Sequence, residues 1–247
     1  MVYNFKTDKG VKRDINEDFV CIRKVSNNFI IFTVADGLGG YESGEVASKK
    51  CCTEISDFLE ENYLNMENEK ELEKYIRLAV QKVNISIMEM QKEKQEYQKM
   101  ATTLVMCIKY FNLFYFLSIG DSRIYYISKD KKNIVKLTTD DTYVNELYKN
   151  NKITKEEMYT HSQRHVLTKA VGVNEKIDFD IKCLDYKYDG YIFMCSDGIS
   201  GVLSKDQILN TFKKSKFENF DNNIISKAIK SGSNDNLTSL TISIREV

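Results

Sequence analysis

Proline and tryptophan are absent from this 247-residue chain, and it has only two histidines, His161 and His165. Without proline, turns must be made by Gly, Asn, Asp or Ser, so a pair such as Asp36-Gly37 has turn formation as its simplest explanation. The six cysteines, at 21, 51, 52, 107, 183 and 195, form no Cys-x-x-Cys pair, so a zinc site lacks a ready ligand set. Most of them lie in apolar runs, where a thiol behaves as a small hydrophobe, and no disulfide framework is expected. The compartment this implies is the reducing cytoplasm. Long hydrophobic runs are missing as well. The longest, 111–119, is broken by Asn112 and is too short for a bilayer, and the N-terminus has no charged segment followed by an apolar one, so no membrane association is expected. Net charge is also lacking, with 36 Lys and Arg against 36 Asp and Glu. Binding a phosphate backbone needs a basic surface, so nucleic acid is not an expected partner. Two short lysine clusters, Lys129/Lys131/Lys132 and Lys213/Lys214/Lys216, read as solvated turn or helix faces.

A hydrophobic fraction of 42% with 29% charged residues is that of a globular chain. No repeat or low-complexity linker divides it, and a single domain over 1–247 is expected. Residues 2–8 alternate as a half-buried strand does. Phe19–Lys24 and Phe29–Ala35 flank Ser26-Asn27-Asn28 as a hairpin. Helical spacing begins after Gly39-Gly40, with Ser43 as N-cap and Val46, Ala47, Cys51, Ile55, Phe58 and Leu59 on one face. A longer amphipathic helix is predicted from about Glu69 to Gln98. Strands follow at Leu104–Tyr110, Leu113–Ile119, Ile124–Ser128 and Ile134–Leu137, and their short connections predict an antiparallel meander. A polar excursion over 140–165 holds two short helices, Thr142–Lys149 and Lys155–Tyr159. Strands are predicted again at Ile177–Leu184 and Tyr191–Cys195, then helices near Lys205–Phe212 and Asp221–Lys230, then a strand at Leu237–Arg245. This order predicts an α+β fold of antiparallel sheets packed on each other with helices outside.

Acidic residues recur where strands end: Glu17-Asp18, Asp36, Asp121, Asp197 and Asp235. Any one of them is an ordinary turn residue taken alone. Asp36 and Asp197, however, each follow an apolar strand directly and precede a glycine. If those strands lie in facing sheets, both carboxylates emerge at one rim. Crowded carboxylates raise one another's pKa, so a cluster of them implies divalent cations, and all-oxygen ligands suit Mg²⁺ or Mn²⁺. Arg13, four residues before Glu17, either offers a fork for a phosphate dianion or pairs with Asp14 or Glu17 at the surface.

The runs Gly10–Asp18, Asp36-Gly37-Leu38-Gly39-Gly40, Ser43–Ser48, Ala101–Leu104, Gly120-Asp121-Ser122-Arg123, Cys195–Gly198 and Asn234–Thr238 resemble, in order, the motifs of the metal-dependent protein phosphatases of the 2C type. The resemblance spans about residues 3–245 and implies an α-β-β-α sandwich, two antiparallel sheets flanked by helix pairs. It implies hydrolysis of phosphoserine and phosphothreonine in proteins by a water bridging two Mn²⁺ or Mg²⁺ ions between the sheets, with no phospho-enzyme. Carried over by position, Asp36 bridges both ions, the Gly37 carbonyl binds one, and Asp197 and Asp235 hold one. Glu17 orients water on the other with Asp18 behind it. Asp121 joins Asp197 at a third ion seen in bacterial members, and Arg13 takes the substrate phosphate, so that Arg13, Asp36 and Asp197 are the catalytic set. The excursion at 140–165 corresponds to a flap bordering the site. Implied partners are phosphorylated proteins, among them a serine/threonine kinase and its targets, with the phosphatase a monomer.

Three positions depart from the family pattern. Leu38 stands where eukaryotic members carry a histidine thought to act as general acid, Ala101 replaces a frequent glycine, and Ser162 replaces the proline usual after His161. Two other readings compete with an active phosphatase. A module that binds phosphoproteins without hydrolysis is disfavoured by the complete acidic set, and a nuclease by the neutral charge and lack of an aromatic-basic patch.

Overall fold

The computed structural model describes residues 1–39, 43–185 and 189–244. The N-terminal third forms strands β1 (Val2–Asp8), β2 (Asp18–Lys24) and β3 (Phe29–Leu38), then helices α1 (Ser43–Glu61) and α2 (Glu69–Glu93). The middle contributes β4 (Ala101–Thr102), β5 (Leu104–Tyr110), β6 (Leu113–Ile119), β7 (Arg123–Ser128) and β8 (Ile134–Lys136), followed by the short helices α3 (Tyr143–Lys149) and α4 (Lys155–Thr160). The remainder forms β9 (Lys182–Asp185), β10 (Gly190–Cys195), α5 (Asp197–Ser200), α6 (Lys205–Lys214), α7 (Phe220–Lys230) and β11 (Leu237–Ile244).

Two antiparallel sheets result. One runs β1-β11-β10-β7-β8 and the other β2-β3-β5-β6-β9, with β4 paired to β3. The period-2 alternation of each strand decides which layer a side chain enters. On β3, Ile30, Phe32 and Val34 enter the core between the sheets and meet Ile192 and Met194 of β10 and Leu240 and Ile242 of β11. Phe29 and Ile31 point the other way and pack under Ile55, Leu59, Ile76 and Val80 of α1 and α2. Tyr191, Phe193 and Cys195 of β10 likewise face Ile208, Phe212, Phe220 and Ile224 of α6 and α7. The four layers are therefore helix, sheet, sheet, helix, as the resemblance implies, and all six cysteines are free. No helix among the described residues is long and apolar enough to cross a membrane.

Several predicted elements change. The four middle strands are not one meander. β5 and β6 form a hairpin, but β7 joins the other sheet, between β10 and β8. The free edge of β6 is taken by β9, and Gly120 (φ +95°) turns the chain across while its N–H and C=O bond Asp141. The strand predicted from Ile177 begins only at Lys182. The Glu175 and Phe179 carbonyls accept instead from the Gln81 and Arg77 side chains of α2. The helix predicted to Gln98 ends at Glu93, because Lys94 is extended (φ −139°, ψ 142°) and Gln91 donates to the Met100 and Gly172 carbonyls. Ser43 is the first helical residue rather than a cap. Gly40 and Arg245 lie outside the described residues.

One buried acid lies apart from the rim. Asp221, in the first turn of α7, accepts from the Ser239 and Thr241 hydroxyls of β11, while its Oδ2 has no partner. Burial pushes its carboxyl up to about 6, against the two hydroxyl bonds that favour the charge. An acid whose folded pKa is raised stabilises the fold most when protonated, so stability falls as pH rises from about 4 to about 6. Asp221→Asn should remove that part of the slope, at most about 3 kcal/mol. Urea unfolding of variant and wild type across this window measures it, and parallel curves would contradict it.

Candidate metal and phosphate site

The site is built where chain ends from both sheets meet. β2 and β3 pair Asp18 directly with Asp36 at one end of their sheet. Asp197 opens α5 immediately after β10, Asp235 precedes β11, and Asp121 sits in the crossing between β6 and β7. The structure thus gathers five of the sequence-singled carboxylates at one rim, with Glu17 and Arg13 beside them.

Their electrostatics are those of like charges crowded in a half-buried place. Asp36 is held well above the usual carboxylate range by burial first, and then by Asp18, Asp197, Asp121 and Asp235. Burial and Asp197 push Asp121 up to about 8, against the pull of Arg123. Asp18 rises to about 7 through burial, although Ser196 and Thr238 favour its charge. Asp197 is raised by burial and by Asp235, with His165 and a hydrogen bond from Asp36 working the other way. Glu17 is raised by burial and held back by Arg13. Burial and mutual repulsion thus both favour the protonated forms in this cluster, Asp36 most of all.

Backbone packing fixes these positions tightly. A Cβ on Gly37 would lie 2.1 Å from the Gly44 carbonyl oxygen, so only glycine lets β3 meet the start of α1 here. The Gly37 N–H bonds the Glu17 carbonyl at 3.1 Å, and the Ser48 hydroxyl of α1 donates to the same oxygen at 2.6 Å. The Asp36 N–H bonds Thr103 Oγ1 at 3.0 Å, and that hydroxyl meets Ser122 Oγ at 2.8 Å, tying the Asp36 strand to the Asp121 crossing.

Some side chains of the site carry roles the sequence motifs did not disclose. Asn236, 3% exposed, donates from Nδ2 to the Lys9 and Ile15 carbonyls and accepts the Glu17 N–H, so it clamps the loop bearing Arg13 and Glu17. Ser196 donates to Asp18 Oδ2 at 2.7 Å and accepts the Thr238 N–H at 3.0 Å, bridging the two sheets. Their signal in sequence was only adjacency to Asp235 and Asp197. His165 places Nδ1 3.9 Å from Asp197 Oδ2 with its side chain 62% exposed, which puts it at the mouth. Arg13 pairs with neither Asp14 nor Glu17. Its Nη2 reaches both Asp235 oxygens, at 2.9 and 3.0 Å, and 48% of the side chain is exposed.

The donor set suits hard cations: carboxylates and a carbonyl, with no thiolate among them. Asp18 Oδ1 is buried with no partner, as an oxygen facing a charged group elsewhere in the cluster would be. Among the described residues, no group of three or more His, Cys, Asp or Glu side chains is already placed to hold a metal ion.

A family model described as Protein phosphatase 2C matches residues 10–237. The serine/threonine phosphatase stp of Listeria welshimeri serovar 6b is 30% identical over 239 residues, covering 96% of this chain and 94% of that protein. Serine/threonine phosphatase Stp1 from Staphylococcus aureus, a solved structure, matches with a TM-score of 0.88 at 29% identity, covering 99% of this chain and 95% of that one. The catalytic domain of the serine threonine protein phosphatase PstP, in complex with 2 manganese ions, matches with a TM-score of 0.82 at 25% identity, covering 97% and 96%.

Proposed function

Since the chain belongs to the protein phosphatase 2C family and is a protein serine/threonine phosphatase, we propose that it removes phosphate from serine and threonine side chains with divalent cations held at its acidic rim. The observation that carries this reading is the gathering of Asp18, Asp36, Asp121, Asp197 and Asp235, where burial first and then mutual repulsion raise Asp36 well above its ordinary pKa. Cations relieve that repulsion, and PstP holds two manganese ions on the same fold. Mn²⁺ or Mg²⁺ bound there supplies a Lewis acid for the phosphoryl oxygens and lowers the pKa of a water to a usable range.

The chain's own residues then divide the work. Asp36, the Gly37 carbonyl, Asp197 and Asp235 would hold the core ions, and Asp121 with Asp197 would hold a further one. Glu17, anchored through Asn236, positions water, and Asp18 behind it keeps that corner acidic. Arg13, half-exposed and paired with Asp235, would present a planar fork at the mouth for the substrate phosphate once Asp235 is otherwise neutralised. Leu38 has no proton to give the departing oxygen, so the leaving group is protonated from elsewhere. The segment 140–165 borders the mouth as a flap on a single domain, with α3 and α4 on it and His165 at its end reaching Asp197. A phosphatase of this kind opposes a serine/threonine kinase in the cytoplasm.

Hydrolysis of a phosphothreonine peptide, with Mn²⁺ and with chelator, tests the reading. Phosphate release only with the metal is expected, whereas tight peptide binding without release would favour a phosphoprotein-binding module. Arg13→Ala should raise KM by about tenfold or more, the loss expected for one charge-assisted phosphate contact. Mn²⁺ should still bind by calorimetry, at least as tightly as in wild type because Asp235 loses a competing partner, and loss of metal in this variant would contradict the role given to Arg13.

A further inference from the structure

The lysine cluster at 213–216, read from sequence as a solvated helix face, has a different setting in the fold. α6 and α7 lie side by side outside the β1-β11-β10-β7-β8 sheet, and a groove of about 510 Å³ runs between them. Its wall residues on α6 and α7 step by three and four, which puts one face of each helix toward the other across the groove. Lys214 enters from α6, and Lys227 and Lys230 from α7. Gln207, Asn210 and Asn223 add side-chain amides, and the other lining residues are hydroxyls. No acid lines the groove, and no ion pair engages these three lysines among the described residues.

In a chain with equal numbers of cations and anions this is a segregation of charge. Residues 204–232 hold six lysines against three acids, one of which, Asp221, is buried. Residues 43–98, the opposite helical layer, hold twelve acids against eight cations. Lysines in the last turn of a helix complement its dipole, which accounts for Lys213, Lys214, Lys227 and Lys230 being where they are along each helix. It does not account for three of them lining one acid-free groove together with amide donors.

We propose that this groove docks an acidic, Asp/Glu-rich segment of a protein partner, remote from the acidic rim. Charge complementarity selects the sign of the ligand, and three ammonium groups spaced along a cleft match carboxylates strung along an extended chain. Phosphate is matched best by the forked guanidinium of arginine, and the groove has none. An anionic membrane surface would call for apolar side chains to insert, and single-stranded nucleic acid for aromatic platforms. The groove lining contains neither.

The proposal stands apart from the phosphatase reading, since it is tested by binding alone. Fluorescence anisotropy of a labelled, unphosphorylated Glu-Gly-Ser peptide, measured in chelator at low salt, should show saturable binding. A Gln-Gly-Ser peptide of equal length should bind at least tenfold more weakly. Combined Lys214→Glu, Lys227→Glu and Lys230→Glu should cost at least tenfold in affinity, and the Lys→Gln triple an intermediate loss. Mn²⁺-dependent turnover of p-nitrophenyl phosphate should stay unchanged in both. Affinity for the Glu peptide equal to wild type in the folded triple variants overturns the proposal. So does equal binding of the Gln peptide, or binding of an oligonucleotide or phosphatidylserine vesicles without binding of the Glu peptide.

Discussion

Asp36→Asn is expected to lower the rate of phosphate release by at least about a thousandfold, roughly 4 kcal/mol of barrier, because it removes the one carboxylate that faces every other acid of the rim. The same substitution should leave the metal-free protein at least as stable as wild type. In the absence of cations, burial first and then its four acidic neighbours raise Asp36 well above the usual carboxylate range and favour its protonated form. An asparagine amide is nearly isosteric with a protonated carboxyl and carries no charge to bury, so little is lost on substitution. The difference appears only when cations are added. Wild type should gain stability through binding, about 2.7 kcal/mol at a hundredfold excess over Kd, or several degrees of melting temperature. Asp36→Asn should gain much less. Melting curves in chelator and in Mn²⁺, set beside phosphate release, give all the quantities needed. A variant that melts far below wild type in chelator would mean that Asp36 holds the fold together, and the loss of activity would then say nothing about cations.

The ends of strands are the most legible part of the site in the sequence, and the identity of the sheets the least. Alternation along β3 and β10 is local, and so is the acid that follows each apolar run, so Asp36 and Asp197 stand out from their immediate neighbours alone. Whether two neighbouring strands pair is not a local property. Gly120-Asp121-Ser122 carries the same turn chemistry whether the chain folds back as a hairpin or crosses to the facing sheet. What decides is the edge of β6 being taken by β9 and Gly120 being held by Asp141. The partners of buried polar groups are hidden for the same reason. Arg13 sits 222 positions from Asp235, and Ser196 sits 178 from Asp18, so nothing in either neighbourhood announces the contact. Residues 177–181 read as a strand by composition, yet side chains of α2 take the carbonyls of Glu175, just before this stretch, and Phe179, within it.

Arg123→Met should destabilise the fold by about 3 kcal/mol, the largest stability effect expected of any substitution outside the hydrophobic core. Arg123 begins β7, two residues after Asp121, and its side chain is 25% exposed against 11% for its partner Asp140. Nε donates to both Asp140 oxygens at 3.1 Å, Nη2 to one at 2.8 Å, and Nη1 to the Ser200 carbonyl at 2.9 Å at the end of the helix that Asp197 opens. Methionine matches the aliphatic stem and supplies none of these bonds, so Asp140 loses its fork and the Ser200 carbonyl its donor. Removing one partner of a buried pair generally costs about 3–5 kcal/mol. The low end applies because Lys136 Nζ, 3.0 Å from Asp140, remains to compensate part of the charge. Activity should fall further than stability, since Arg123 joins the Asp121 crossing to the Asp197 helix and thereby sets the spacing of two carboxylates. Adding Asp140→Asn removes the uncompensated charge and should return about half of the lost stability while leaving the activity low. Urea unfolding of the two variants beside Mn²⁺-dependent turnover separates these effects. If the double variant regained turnover in step with stability, Arg123 would act on the fold alone, and the spacing of Asp121 and Asp197 would have to be set by other contacts.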